Sequence, residues 1–142
     1  MSKATAAGSA RILVVDDDEK LLELLRMTLQ RAGVELVAVA DGVRGMEALQ
    51  SERFDLLILD LMLPDIDGLE MLRQVRQDPR FDKMPVLILS ALAVRDIIRQ
   101  GLELGADGYL TKPYLPDTLI GCVRNLLAEG RRRPGQPSGC AG

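Results

Sequence analysis

Histidine is absent from the 142 residues, and cysteine occurs only as Cys122 and Cys140. Without imidazole the usual zinc-ligand sets are missing, and so is any Ser-His or Cys-His nucleophile pair. Chemistry, if there is any, falls to carboxylates, hydroxyls and lysine. Cys122 lies in a helical pattern and Cys140 in a Gly/Pro/Ser tail, which gives no framework of paired spacings and agrees with a reducing compartment. No apolar run reaches the roughly 18 residues that a membrane span needs. The segment Met1 to Ala10 lacks the apolar centre of a secretory signal. A cytoplasmic protein with no membrane contact is expected. An excess of positive charge is missing too: 18 basic and 21 acidic residues, mixed along the chain, leave a net charge of -3. No global basic field is present to bind nucleic acid by counterion release, so direct nucleic-acid binding is not expected.

What remains, 47% hydrophobic and 27% charged residues, fits one globular domain of ordinary size. Five short apolar runs read as strands: Arg11 to Val15, Val34 to Ala40, Asp55 to Leu59, Val86 to Leu89 and Gly108 to Leu110. Several are continuous rather than alternating, which suits parallel strands covered on both faces. Helical patterns lie between them. Glu19 to Arg31 sets Leu21, Leu22, Leu25 and Leu29 on one stripe, with Gly33 as its stop. The others run over Val43 to Gln50, Gly68 to Gln77, Val94 to Leu104 and Pro116 to Leu127. Five strand-helix repeats with right-handed crossovers predict an α/β fold, a doubly wound five-stranded parallel sheet of (βα)5 type. The flavodoxin-like order 2-1-3-4-5 fits it. Residues 1–9 and 130–142 are expected to be flexible tails around a domain at 10–129.

In such a sheet the ligand crevice lies beyond the carboxyl ends of the strands. The residues found there are Asp16, Asp17 and Asp18 after the first strand, Asp60 after the third, Ser90 after the fourth, and Thr111, Lys112 and Pro113 after the fifth. Acidic residues after strands also serve as turn formers and helix caps, and Asp18 before Glu19 reads as a cap. For Asp16, Asp17 and Asp60 together, mutual repulsion asks for a compensating cation. A hard divalent ion such as Mg²⁺ takes one or two carboxylates, several waters and a phosphate oxygen. A carboxylate can itself be the nucleophile and form an aspartyl phosphate, and phosphoryl transfer then needs positioning and charge neutralisation above all.

The segments RILVVDDDEK, DLLILDLMLPDIDGLE, PVLILSAL and GADGYLTKPY resemble, in order and spacing, the motifs of the response-regulator receiver family of two-component signalling. The resemblance covers about Ala10 to Ala128. It implies that Asp60 is the phosphoacceptor and that Asp16 and Asp17 hold Mg²⁺, Asp17 directly and Asp16 mostly through water, with the backbone carbonyl of Met62 as a further ligand. It also implies that Ser90 is the Ser/Thr switch position, Lys112 the phosphate-binding lysine, Pro113 the cis proline and Tyr109 the aromatic reporter of phosphorylation. The domain would catalyse only its own phosphorylation and dephosphorylation. Its partners would be a sensor histidine kinase or phosphotransfer protein and a further downstream protein, and a phosphorylation-dependent dimer stays open.

Two features leave the family pattern open. Receivers of winged-helix transcription factors carry two acidic residues before the tyrosine, whereas Gly108 follows Asp107 here, which weakens a dimer through the last helix-strand-helix face. The run Arg131 to Arg133 reads as a solvated linker. Two other functions compete with the receiver. A phosphatase of haloacid dehalogenase type is suggested by the Asp-x-Asp within Asp16 to Asp18, but that class expects Thr or Val where Lys20 stands. An interaction module without the chemistry leaves unexplained why every phosphorylation position holds a competent residue.

Overall fold

The computed structural model describes residues 10–30 and 33–132. The expected N-terminal tail and residues 133–142, with Cys140 and Arg133, lie outside the described residues. Strands β1 (Arg11–Val15), β2 (Glu35–Val39), β3 (Leu56–Leu59), β4 (Val86–Ser90) and β5 (Gly108–Thr111) alternate with helices α1 (Glu19–Leu29), α2 (Gly42–Ser51), α3 (Gly68–Gln77), α4 (Arg95–Leu104) and α5 (Pro116–Glu129). All strand pairs are parallel, in the order β2-β1-β3-β4-β5.

The apolar runs explain the layering. All four residues of β3 are buried, because a parallel strand with a helix layer on each face has no solvent side. Side chains alternate along a strand. On β1, Ile12 and Val14 therefore join the core that contains Leu21 and Leu25 of α1 and Leu119 and Val123 of α5, while Leu13 and Val15 join Leu49, Met71, Leu72 and Val75 on the opposite face. In α1 the four-residue spacing of Leu21, Leu25 and Leu29 is the buried stripe.

Differences from the sequence reading are local. Beyond the shifted strand and helix ends, a short 3-10 turn at Pro79–Phe81 was not anticipated. Asp78 caps it, Pro79 opens it and Phe81 is buried by it. A single turn carries too few residues to show a period.

Candidate functional site

Backbone pairing sets the strand ends side by side. The Asp16 amide donates to the Val39 carbonyl at 3.0 Å, the Asp60 amide to the Val15 carbonyl at 3.1 Å and the Lys112 amide to the Ser90 carbonyl at 2.9 Å. The acidic ends of β1 and β3 are thus neighbours, and the basic end of β5 is tied to the hydroxyl end of β4.

Side chains complete the cluster. Lys112 Nζ stands 2.8 Å from Asp16 Oδ2, 3.5 Å from Asp18 Oδ2 and 3.6 Å from Asp60 Oδ2. The Lys112–Pro113 peptide bond is cis. Asp16 is buried at 1% exposure, whereas Asp17 is exposed. Asp18 does what a cap does, accepting from the Lys20 and Leu21 amides, and also faces the lysine. Asp60 Oδ1 accepts from the Met62 amide at 3.0 Å, which holds the carboxylate on the turn after β3.

Burial raises the Asp16 carboxyl above its ordinary pKa, even though Lys112 pulls it down. For Lys112, burial works to lower the ammonium. Asp16, Asp60 and Asp18 together outweigh it and leave the pKa raised. The group is therefore an ammonium at neutral pH, and one positive charge faces Asp16, Asp18 and Asp60.

Ser90 is fully buried, and its Oγ accepts from the Leu92 amide at 3.3 Å. Tyr109 lies beside it. Its ring is 3% exposed and its hydroxyl donates to the Leu92 carbonyl at 2.5 Å. Burial raises the Tyr109 phenol, opposed by its hydrogen bond with Ser90.

Two residues to which the sequence assigns no part in the chemistry, Asp65 and Gly68, bear on the site. Asp65 accepts from the Gly42 and Val43 amides at 2.8 Å each, so the turn after β3 caps α2 from a distance. Those two bonds lower its pKa. Gly68 opens α3 directly beneath Asp60: a Cβ there would lie 2.4 Å from Leu61 Cα and 2.8 Å from the Asp60 carbonyl oxygen. The residues Pro64 to Gly68 have the composition of a turn, which does not say which amides or backbone atoms they meet.

Among the described residues, no three His, Cys, Asp or Glu side chains form a ready-made metal cage. Mg²⁺ does not require one, because it keeps several waters and uses one or two carboxylates with substrate phosphate oxygens. The donors at hand are hard oxygens, and their negative charge exceeds that of Lys112, so the residues suit that ion.

Residues 12–124 match the model of the response regulator receiver domain, and the chain belongs to that family. It is 40% identical over 125 residues to the DNA-binding dual master transcriptional regulator RpaA of Synechocystis, covering 87% of this chain and 52% of the relative. It is 39% identical over 117 residues to the alkaline phosphatase synthesis transcriptional regulatory protein PhoP of Bacillus subtilis, covering 82% and 48%. The chain thus spans about half the length of these curated relatives. A putative response regulator from Chloroflexus aurantiacus superposes with a TM-score of 0.77 at 36% identity, covering 85% of this chain and 99% of that one. Two similar structures are described with metals. The Mn²⁺-bound form of Rcp1 has a TM-score of 0.72 at 30% identity, covering 84% of this chain and 93% of that one. The magnesium-coordinated receiver domain of the sensor histidine kinase PA1611 from Pseudomonas aeruginosa has a TM-score of 0.73 at 25% identity, covering 85% and 99%. Nothing in these findings favours the phosphatase or the inert interaction module. Lys20, which already argued against the phosphatase, is exposed on α1.

Proposed function

We propose that the chain is a Mg²⁺-dependent phosphorylation switch with Asp60 as its acceptor. The observation that carries this reading is the meeting of the Asp60 and Asp16 carboxylates with Lys112 Nζ at the carboxyl ends of three strands. An Asp60 carboxylate oxygen attacks phosphorus in line. The new O–P bond forms as the P–N bond of a phosphohistidine donor, or the P–O bond of acetyl phosphate, breaks, and the leaving group departs with the bonding pair. Lys112 neutralises phosphoryl oxygen charge by a charge-assisted contact, and Ser90 donates a hydrogen bond to another oxygen. Asp16, Asp17, Asp60 and the Met62 carbonyl would hold Mg²⁺, which supplies further neutralisation when bound. A sensor histidine kinase or phosphotransfer protein is the donor this chemistry fits, and a cytoplasmic location suits such a donor. The receiver would pass the signal on by protein contact. Regulators such as RpaA are DNA-binding by name, and the expectation against direct nucleic-acid contact concerns only this chain's own residues.

Incubation with acetyl phosphate and Mg²⁺, followed by mass spectrometry, tests the assignment. One acid-stable, base-labile phosphoryl group is expected, and Asp60→Asn should lose it while keeping the wild-type circular dichroism. Undiminished labelling of the variant would move the acceptor elsewhere.

A further inference from the structure

Helix α4 has no side-chain cap at its start, while its C-terminal end turns at Gly105, whose φ of 117° lies in the left-handed region and whose amide, with that of Ala106, donates to the Leu102 and Gly101 carbonyls. Its N-cap is Val94, which offers no side-chain bond to the first-turn amides, and its last turn carries no basic residue. To this local closure the chain adds donors from beyond α5. After α5 the backbone turns at Gly130, whose φ of 75° lies in the left-handed region where a side chain would be strained. The turn sends Arg131 and Arg132 back across the start of β5. Arg132 Nη2 donates to the Leu102 carbonyl at 2.8 Å and Nε to Ala106 at 3.0 Å, while Arg131 Nη2 donates to Gly105 at 3.0 Å. Cationic donors at a helix C-terminus satisfy the orphan carbonyls and complement the helix dipole.

The same segment is anchored on a buried carboxylate. Asp107, at 0% exposure, accepts from Arg131 Nε and the Arg132 amide at 3.0 Å each, from Arg76 Nη2 of α3 at 3.0 Å and from the Val86 amide at 2.9 Å. The sequence placed these arginines in a solvated tail. The structure places them on a buried carboxylate, half-buried themselves.

We propose that Gly130–Arg132 is a conditional cap for α4, a strap that links the chain leaving α5 to the order of the α4–β5 corner. With the strap seated, the Gly105 turn that ends α4 is held by three further bonds, and β5 is pinned at Asp107, two residues before Tyr109. With it withdrawn, by a pull on the residues that follow Arg132 or by a partner that takes the arginines, the last turn of α4 opens and the Tyr109 contact with Leu92 loosens. Resting on Asp60 as the phosphoacceptor, the strap is then linked to that site through Tyr109 and Ser90. Linkage is reciprocal, so strap and Asp60 each shift the other's equilibrium by the same factor.

Two measurements on the full chain test this with the double variant Arg131→Ala/Arg132→Ala. Hydrogen exchange at the amides of Leu102 to Ala106 should be at least tenfold faster than in wild type, with α1 amides unchanged. Equal rates at those amides, or the same acceleration in every element, would overturn the cap. Titration with beryllofluoride and Mg²⁺, an aspartyl-phosphate mimic read by amide shifts, should give midpoints at least about fivefold apart between the two proteins, the lower end of ordinary coupling. Coincident midpoints would overturn the link to Asp60. If neither protein responds to the mimic, the phosphoacceptor assignment fails, and the exchange comparison alone decides the cap.

Discussion

The Tyr109 hydroxyl donates a 2.5 Å hydrogen bond to the Leu92 carbonyl, which joins β5 to the loop between β4 and α4. The ring is therefore already buried. Its inward position does not have to be created by movement of Ser90, although the two hydroxyls interact and Ser90 holds the Leu92 amide from the other side.

Ser90→Ala removes the acceptor for the Leu92 amide and the phenol's neighbour together, at a cost of about 1 kcal/mol for an ordinary hydrogen bond. The variant should still label on Asp60. Amide shifts induced by beryllofluoride should shrink around α4 and β5, and wild-type shifts across that face would show that the signal bypasses Ser90.

Asp17 is the exposed member of the acidic run, open to an incoming hydrated ion. Asp17→Asn removes one ligand charge from a hard-oxygen site and should weaken Mg²⁺ binding by about tenfold or more. Calorimetric titration reads this directly, and the labelling rate at fixed Mg²⁺ should fall with it. Equal affinities in the two proteins would make the acidic run structural.

Asp16 brings a pH dependence whose sign follows from burial. A carboxyl whose folded pKa is raised binds more protons folded than unfolded between the two values, so it favours the fold at acid pH. That contribution is lost as pH rises through the folded pKa. Lys112, also raised, contributes stability that is constant at neutral pH and lost only in alkali. Asp16→Asn should therefore unfold at higher temperature than wild type at pH 7, and the gap should close as pH falls toward the ordinary carboxylate range. A gap that widens on acidification would reverse the assignment.

At Gly68 the close approach is to backbone, which cannot swing aside. Alanine would gain up to about 1 kcal/mol of helix propensity. The clash with Leu61 and Asp60 costs about 1–3 kcal/mol as overpacking, so net destabilisation is expected. Urea unfolding measures it, and phosphoryl labelling should slow as well because the displaced atoms carry Asp60.

The sheet and the crevice were legible because both follow from near-neighbour pattern. Short continuous apolar runs such as Leu56 to Leu59 suit parallel strands buried on both sides, and the residue types at their ends are chemistry that a strand does not need. The contacts of Asp107 and Asp65 were not legible. Asp107 meets Arg76, 31 positions away, and Arg131, 24 away, and Asp65 meets Gly42, 23 away. None of these separations leaves a period or a spacing in the sequence. Arg131 illustrates the limit most clearly, since beside Gly130 and Pro134 it reads as linker, and only a buried carboxylate elsewhere makes it structural.

The strand order also bears on how the chain assembles. β1 is flanked by β2 and β3, after which β4 adds beside β3 and β5 beside β4. Once β3 has closed against β1, every later strand-helix unit docks on the edge that the previous one left open. The sheet can therefore lengthen in one direction in step with synthesis from the N-terminus. A ribosome-bound chain that stops after α3 would already hold three paired strands and the acidic half of the crevice. Lys112, on the last strand to dock, would reach those carboxylates only when the sheet is finished.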